Sequence, residues 1–179
     1  MKRTIYKWMH YCLSFLNFKP YFGKSMQQFT MSYVVSFDKT CVYDIGEDQS
    51  DINKLFGISY DFHHKQSDRI GWRYVGEENG HHLIELLLYS YYDGGEVKKL
   101  PITTIRIGDT VKVTLKLSDM WGCRYIDAIV GNAKVTTSIL HTRKNWGYTL
   151  GLYFGGNKRA PHTMSVRIEK IKEWLLKVA

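Results

Sequence analysis

The sequence predicts an all-β domain, an antiparallel two-sheet sandwich, and three observations carry that prediction. Aromatic residues make up 15% of the 179 residues, with 13 tyrosines and 5 tryptophans, and such side chains fit a pleated surface. From Phe29 onward the apolar pattern has a period of two rather than 3.6. Turn signals recur at intervals of roughly 8–12 residues, as in sandwiches and barrels. No alternation of strands with helices appears, so a parallel sheet is not expected.

The first segment stands apart. Residues 1–28 hold Lys2, Arg3, Lys7, Lys19 and Lys24 and no acid, whereas the remaining residues balance 20 basic against 17 acidic groups. The formal charge of +8 is therefore mostly local, and no broad phosphate-binding face is indicated; a nucleic-acid partner is not expected. Ile5, Trp8, Met9, Cys12 and Leu16 have the spacing of one helix face, with Pro20 as a stop. Three readings stay open for this stretch: a helix packed on the domain, a basic amphipathic helix on an anionic membrane surface, or a secretion signal. His10, Ser14 and Asn17 interrupt the apolar run and no A-x-A-like site follows, which favours a cytoplasmic or peripheral location over a secreted one. The division expected is a basic segment at 1–28 and a sandwich domain at 29–179.

The strands follow in order. Phe29 to Tyr33 alternates and Val34 to Phe37 continues it less cleanly, Leu55 to Phe62 is the next strand, and Ile70 to Tyr74 alternates cleanly. Gly76 to Gly80 contains Asn79-Gly80, a hairpin signal because both residues tolerate positive φ. His82 to Tyr92 is a long apolar strand closed by Asp93-Gly94-Gly95. Pro101 is read as opening the strand Ile102 to Ile107, and Gly108-Asp109 leads into Val111 to Leu117, whose valines and leucines alternate with Lys and Thr. Arg124 to Val130 and Lys134 to Ile139 form a hairpin about Gly131-Asn132. Tyr148 to Phe154 and Met164 to Ile171 complete the strands, and Lys170 to Val178 is read as a short helix. Cys12, Cys41 and Cys123 show no paired spacing and are expected to be reduced thiols, with one disulfide plus one free thiol as the alternative.

Tyr153-Phe154-Gly155-Gly156-Asn157, then Ala160-Pro161-His162 and the strand from Met164 to Ile171, resemble the closing strand pair of concanavalin A-like jelly rolls. That group holds lectins, laminin-G-like modules, glucanases and alginate-lyase-like enzymes. The resemblance implies a jelly-roll sandwich and a glycan partner. The catalytic strands of its enzymes are missing. Glucanases set acids alternately on one strand, but Ile84 to Tyr89 carries only Glu85. An Arg-x-Glu-Leu-Arg strand and a Gln-Ile-His strand, expected of the alginate-lyase-like enzymes, do not occur either. No catalytic residue and no cofactor is assigned.

Candidate binding residues come from loops and from charges inside strands. Glu85 lies between Ile84 and Leu86 and needs a partner; the hairpin at Asn79-Gly80 places Arg73 opposite or diagonal to it, with Arg69 as the alternative. His64 and Arg69 belong to a polar segment, 62–69, that could share one rim with Asn157, Lys158, Arg159 and His162. Trp121 and Trp146 lie beside glycine in expected loops and suit sugar stacking. The adjacent pairs His63-His64 and His81-His82 point to opposite faces of a strand and lack further ligands, so no metal site is assigned. The functional order that results is a non-catalytic glycan-binding module first, a structural or assembly protein of a phage or cell surface second, and a polysaccharide lyase or glycosidase third.

Overall fold

The computed structural model describes residues 1–11, 20–22, 28–61, 64–92, 96–140 and 146–171. Among them run the strands β1 (Lys2–Ile5), β2 (Pro20–Phe22), β3 (Gln28–Phe37), β4 (Asn53–Ser59), β5 (Ser67–Glu78), β6 (His81–Tyr92), β7 (Glu96–Arg106), β8 (Thr110–Met120), β9 (Cys123–Val130), β10 (Ala133–Leu140), β11 (Trp146–Leu150) and β12 (Met164–Lys170). They form two six-stranded sheets, ordered β1-β12-β3-β8-β9-β10 and β2-β11-β4-β5-β6-β7. All the pairings are antiparallel. The expected sandwich of jelly-roll type is the fold of this chain.

Alternation turns one side of each sheet into the shared core, and β4 and the first half of β5 are buried on both sides. Val113, Leu115 and Leu117 of β8 and Ile126, Ala128 and Val130 of β9 face Phe56, Ile58, Ile70, Trp72, Leu86 and Leu88 of the second sheet. Trp72, fully buried, packs on Phe37 with ring centroids 5.0 Å apart. Tight hairpins join the strands where glycine or asparagine accepts positive φ. Asn79-Gly80 links β5 to β6 at φ of 51° and 75°, and Trp121-Gly122 links β8 to β9 at 51° and 77°.

One end of the core is polar. Arg124, on the inward side of β9, is 1% exposed and grips Asp119 through Nε (2.8 Å) and Nη2 (3.0 Å). Its guanidinium carbon lies 3.9 Å from the centre of the Tyr60 ring, and the Tyr60 hydroxyl donates to Asp68 Oδ2 at 3.1 Å. Burial pushes the Asp68 carboxyl and the Tyr60 phenol above their ordinary values.

Several sequence expectations are corrected. No helix occupies the described start of the chain: Lys2–Ile5 is a strand in register with β12, and Ile5 is fully buried against the core. Residues 12–19, the rest of the expected helix, lie outside the described residues. Backbone bonds continue the attachment, from Trp8 N to Ala160 O (2.9 Å) and from Ala160 N to Met9 O (3.1 Å). Pro101 sits inside β7 rather than at its start. It is tolerated because β7 is an edge of its sheet and its partner shifts register between Leu86 and Leu87. The last strand of the second sheet ends at Leu150, not Phe154, and Lys170 closes β12; residues 172–179 lie outside the description. Cys41 is buried and free, its thiol pushed up to about 12 chiefly by burial, and Cys123 is free and half-buried. Cys12 lies outside the described residues.

Candidate functional site

The face of the second sheet turned away from the core carries the chemistry. Strand alternation sends every second residue of β4, β5 and β6 outward. Register then aligns Gly57, Arg69, Tyr89 and Lys99 in one row and Ser59, Ser67, Tyr91 and Tyr148 in the next. A third row holds Lys54, Gly71, Leu87 and Pro101, and a fourth holds Arg73, Glu85 and Thr104.

Glycine at position 57 leaves room for β5 and for the base of the Arg69 side chain: a Cβ there would sit 2.7 Å from Arg69 Cα and 2.8 Å from Arg69 Cγ. The arginine is 7% exposed, and its Nε donates to Ser67 Oγ at 3.2 Å. Lys54, 8% exposed, sends its ammonium over the rings of Tyr89 (4.6 Å) and Tyr153 (5.6 Å). It donates to the carbonyls of Ile52 (2.7 Å) and Gly155 (3.3 Å). Among the described residues no carboxylate forms an ion pair with either cation. Burial lowers both: Arg69 below its ordinary value, and Lys54 to about 8 through desolvation and then the nearby Arg69. A buried charge without a counter-charge is costly. Two on one face make its local potential positive.

Tyrosines surround these cations. Tyr89, Tyr148, Tyr153 and Tyr11 all act electrostatically on Arg69. Burial pushes the phenols of Tyr89, Tyr148 and Tyr153 upward, so they stay protonated. The Tyr148 hydroxyl donates to the Asp61 carbonyl at 2.8 Å, and the His64 ring lies 5.8 Å from the Tyr148 ring. The glycine-rich loop closes one side. It pairs with β4 through Tyr153 and Lys54, whose backbone groups exchange two bonds of 2.8 Å, and Gly155 N donates to Asn53 Oδ1. Tyr153 in turn carries His10 stacked at 5.2 Å and Tyr11 edge-on at 5.0 Å.

Of the residues chosen from sequence, Arg69 is central and His64 reaches the cluster through Tyr148. Arg73 and Glu85 lie on the same face, directly opposite one another, with Nε to Oε2 at 2.7 Å. Their side chains are 31% and 17% exposed. The pair is thus partly wet, and a double-mutant cycle by urea unfolding should show coupling of about 1 kcal/mol; zero would mean that the contact contributes nothing. The loop residues of the proposed common rim meet other groups. Asn157 is exposed beside Lys158, which pairs with Asp48, and His162 Nε2 meets the Thr40 carbonyl at 2.9 Å. Trp121 projects from the β8–β9 hairpin, 91% exposed, on the other sheet. Trp146 begins β11 rather than lying in a loop, and its side chain is outside the description, as is His63. His81 is exposed, and His82 meets the Tyr74 hydroxyl at 3.0 Å. Sequence reasoning missed Lys54, Tyr89, Tyr148 and Tyr153 as a group; the available signal was Lys54 and Arg69, two cations inside otherwise buried strands.

No protein-family model matches the sequence, and no curated protein does. Solved structures do resemble the fold. The PL7 alginate lyase AlyA1 from Zobellia galactanivorans is similar at a TM-score of 0.54 and 16% identity, over 84% of this chain and 62% of that one. The alginate lyase AlyC3 is similar at 0.50 and 12%, over 96% of this chain and 69% of that one. This chain therefore spans less than two thirds of AlyA1. The functional order drawn from sequence is corrected here, because the similar structures are polysaccharide lyases and the sequence placed that class last, behind a non-catalytic binding module. What the likeness shows is the fold, the antiparallel jelly-roll sandwich that this chain shares with those alginate lyases.

Proposed function

We propose that this chain is a polysaccharide lyase acting on an anionic, uronate-containing glycan laid across the outer face of the second sheet. The observation that carries the reading is the pair of buried cations, Arg69 and Lys54, neither of them ion-paired to a carboxylate among the described residues and both set among tyrosines. A uronate carboxylate placed against Arg69 has its charge neutralised, which acidifies the hydrogen on the adjacent ring carbon. Elimination then removes that proton to a base; its electrons form a carbon–carbon double bond, and the glycosidic C–O bond breaks. The departing oxygen takes a proton from an acid. Tyr148, protonated and beside Arg69, and His64, next to Tyr148, are the groups of suitable chemistry. The strands expected of alginate-lyase-like enzymes are absent from the sequence, so these residues take the roles on their own positions.

The test is the ultraviolet absorbance of an unsaturated uronate product when the purified chain meets alginate or polygalacturonate. Arg69→Met should lower that rate by a hundredfold or more, roughly the value of one preorganised charge-stabilising donor. The same change should leave the melting temperature unchanged or raise it, because it removes an uncompensated buried charge. Wild-type chain that yields no unsaturated product from any polyuronate would overturn the reading.

A further inference from the structure

We infer that Lys54 is a second anion-binding cation of this face, set by β4 to hold an acidic group of the glycan next to the one held by Arg69. The inference rests on the reading of this face as an anion site. Geometry supports it in three ways. First, the ammonium is fixed rather than free to swing, since two of its three protons go to the carbonyls of Ile52 and Gly155. The third has no acceptor among the described residues. Second, the charge stands over the rings of Tyr89 and Tyr153, on the side of the sheet where Arg69 lies. Third, the floor beside it is apolar and dry: Ile52 and Leu87 are 4% and 1% exposed, and Gly71 leaves them room, its would-be Cβ being 2.5 Å from Ile52 Cγ2. An ammonium in such a place strengthens any anion that reaches it.

The purely architectural alternative is that Lys54 only pins the glycine-rich loop to β4. Binding of an anion distinguishes the two, because the amine loses its proton near pH 8, whereas Arg69 stays charged. An anion at Lys54 favours the protonated amine, so binding near that pH takes up a proton, and affinity falls as pH rises through the value. The other charged or titratable groups facing Lys54 are Arg69 from β5, Tyr89 from β6, Lys99 from β7, Asp51 ahead of β4 and Tyr153 from the loop. Behind Tyr153 stand His10 and Tyr11.

The experiment is calorimetric titration of the full chain with carboxymethyl-dextran, an anionic glycan with no uronate ring to eliminate, against neutral dextran. Buffers of different ionisation enthalpy report proton uptake. Wild type should bind the anionic polymer only, take up a fraction of a proton near pH 8, and weaken about tenfold from one unit below to one unit above that value. Lys54→Met should be about tenfold weaker below it and flat with pH; Lys54→Arg should stay tight and flat. Anionic binding without proton uptake, and with no pH slope in wild type, overturns the role of Lys54 and leaves the anion face standing. Failure to bind the anionic polymer above the neutral one overturns both. The calorimetry needs only wild-type protein, so a variant that fails to fold does not remove the test.

Discussion

Replacing Arg124 with methionine should destabilise the protein by roughly 3–5 kcal/mol, the cost of leaving a buried charge without its partner. Arg124 is 1% exposed and makes a two-pronged contact with Asp119. It also covers the Tyr60 ring and lowers the otherwise raised Asp68 carboxyl. Methionine fills much of the space but leaves Asp119 and the buried Asp68 without the cation with which both interact. Urea unfolding at neutral pH measures the loss. The sign of its pH dependence follows from linkage. In the variant the Asp68 carboxyl, already raised by burial, loses the lowering effect of Arg124 and titrates higher folded than unfolded, so the folded state binds the extra proton. The penalty is complete above that folded value and is relieved as pH falls through it, so the gap from wild type should narrow in acid. A gap that widens in acid, or a loss under about 1 kcal/mol, would show that water already reaches the cluster.

The second large effect is expected at the start of the chain. Ile5 is fully buried and lies in register with Met164 of β12. Ile5→Ala should cost about 2–5 kcal/mol by transfer and cavity terms. Removing residues 1–11 should cost more. The deletion strips the outer ladder from β12 and the bonds that Trp8, Met9 and His10 make to the 154–160 segment. It also takes His10 and Tyr11 from behind Tyr153. Calorimetric melting of the truncated chain gives the answer, and a melting temperature within a degree or two of the full chain would sink this account.

The parts that sequence reveals are those governed by local rules. Asn79-Gly80 announces a tight hairpin, and once the turn is placed the register follows, which is why Arg73 and Glu85 meet where the pattern puts them. Val111 to Leu117 shows its inward and outward faces because one is wet. The start of the chain misleads for the opposite reason. The spacing of Ile5, Trp8 and Met9 suits a helix, but β1 is only four residues long and draws its stability from β12, about 160 positions away. Nonlocal pairing overrides the periodicity. The site is hidden in the same manner. Lys54, Arg69, Tyr89, Tyr148 and Tyr153 belong to four different strands and one loop, so no spacing joins them. The pattern singles out Arg69 as a cation beside polar residues, and Tyr89 and Tyr148 as two of several aromatic candidates for sugar stacking, but nothing in it joins the three. Gly57 would have passed as an ordinary strand weakness, yet it makes the room in which Arg69 lies.

The outer ladder of the first sheet also shapes how this protein comes to exist. Positions 2–5 must wait for positions 164–167, and β3 must wait for both β8 and β12. On the ribosome, at about 5–20 residues per second, the earliest strands spend many seconds with open edges before their partners emerge. Closing such long loops is slow once the chain is free. The hairpins of β5 to β7 and β8 to β10 can form early and alone, while both ends stay unsatisfied until last. Refolding should therefore be limited by capture of the two ends, and crowded, unfinished chains would be most vulnerable to pairing with one another at the edges of β3 and β12.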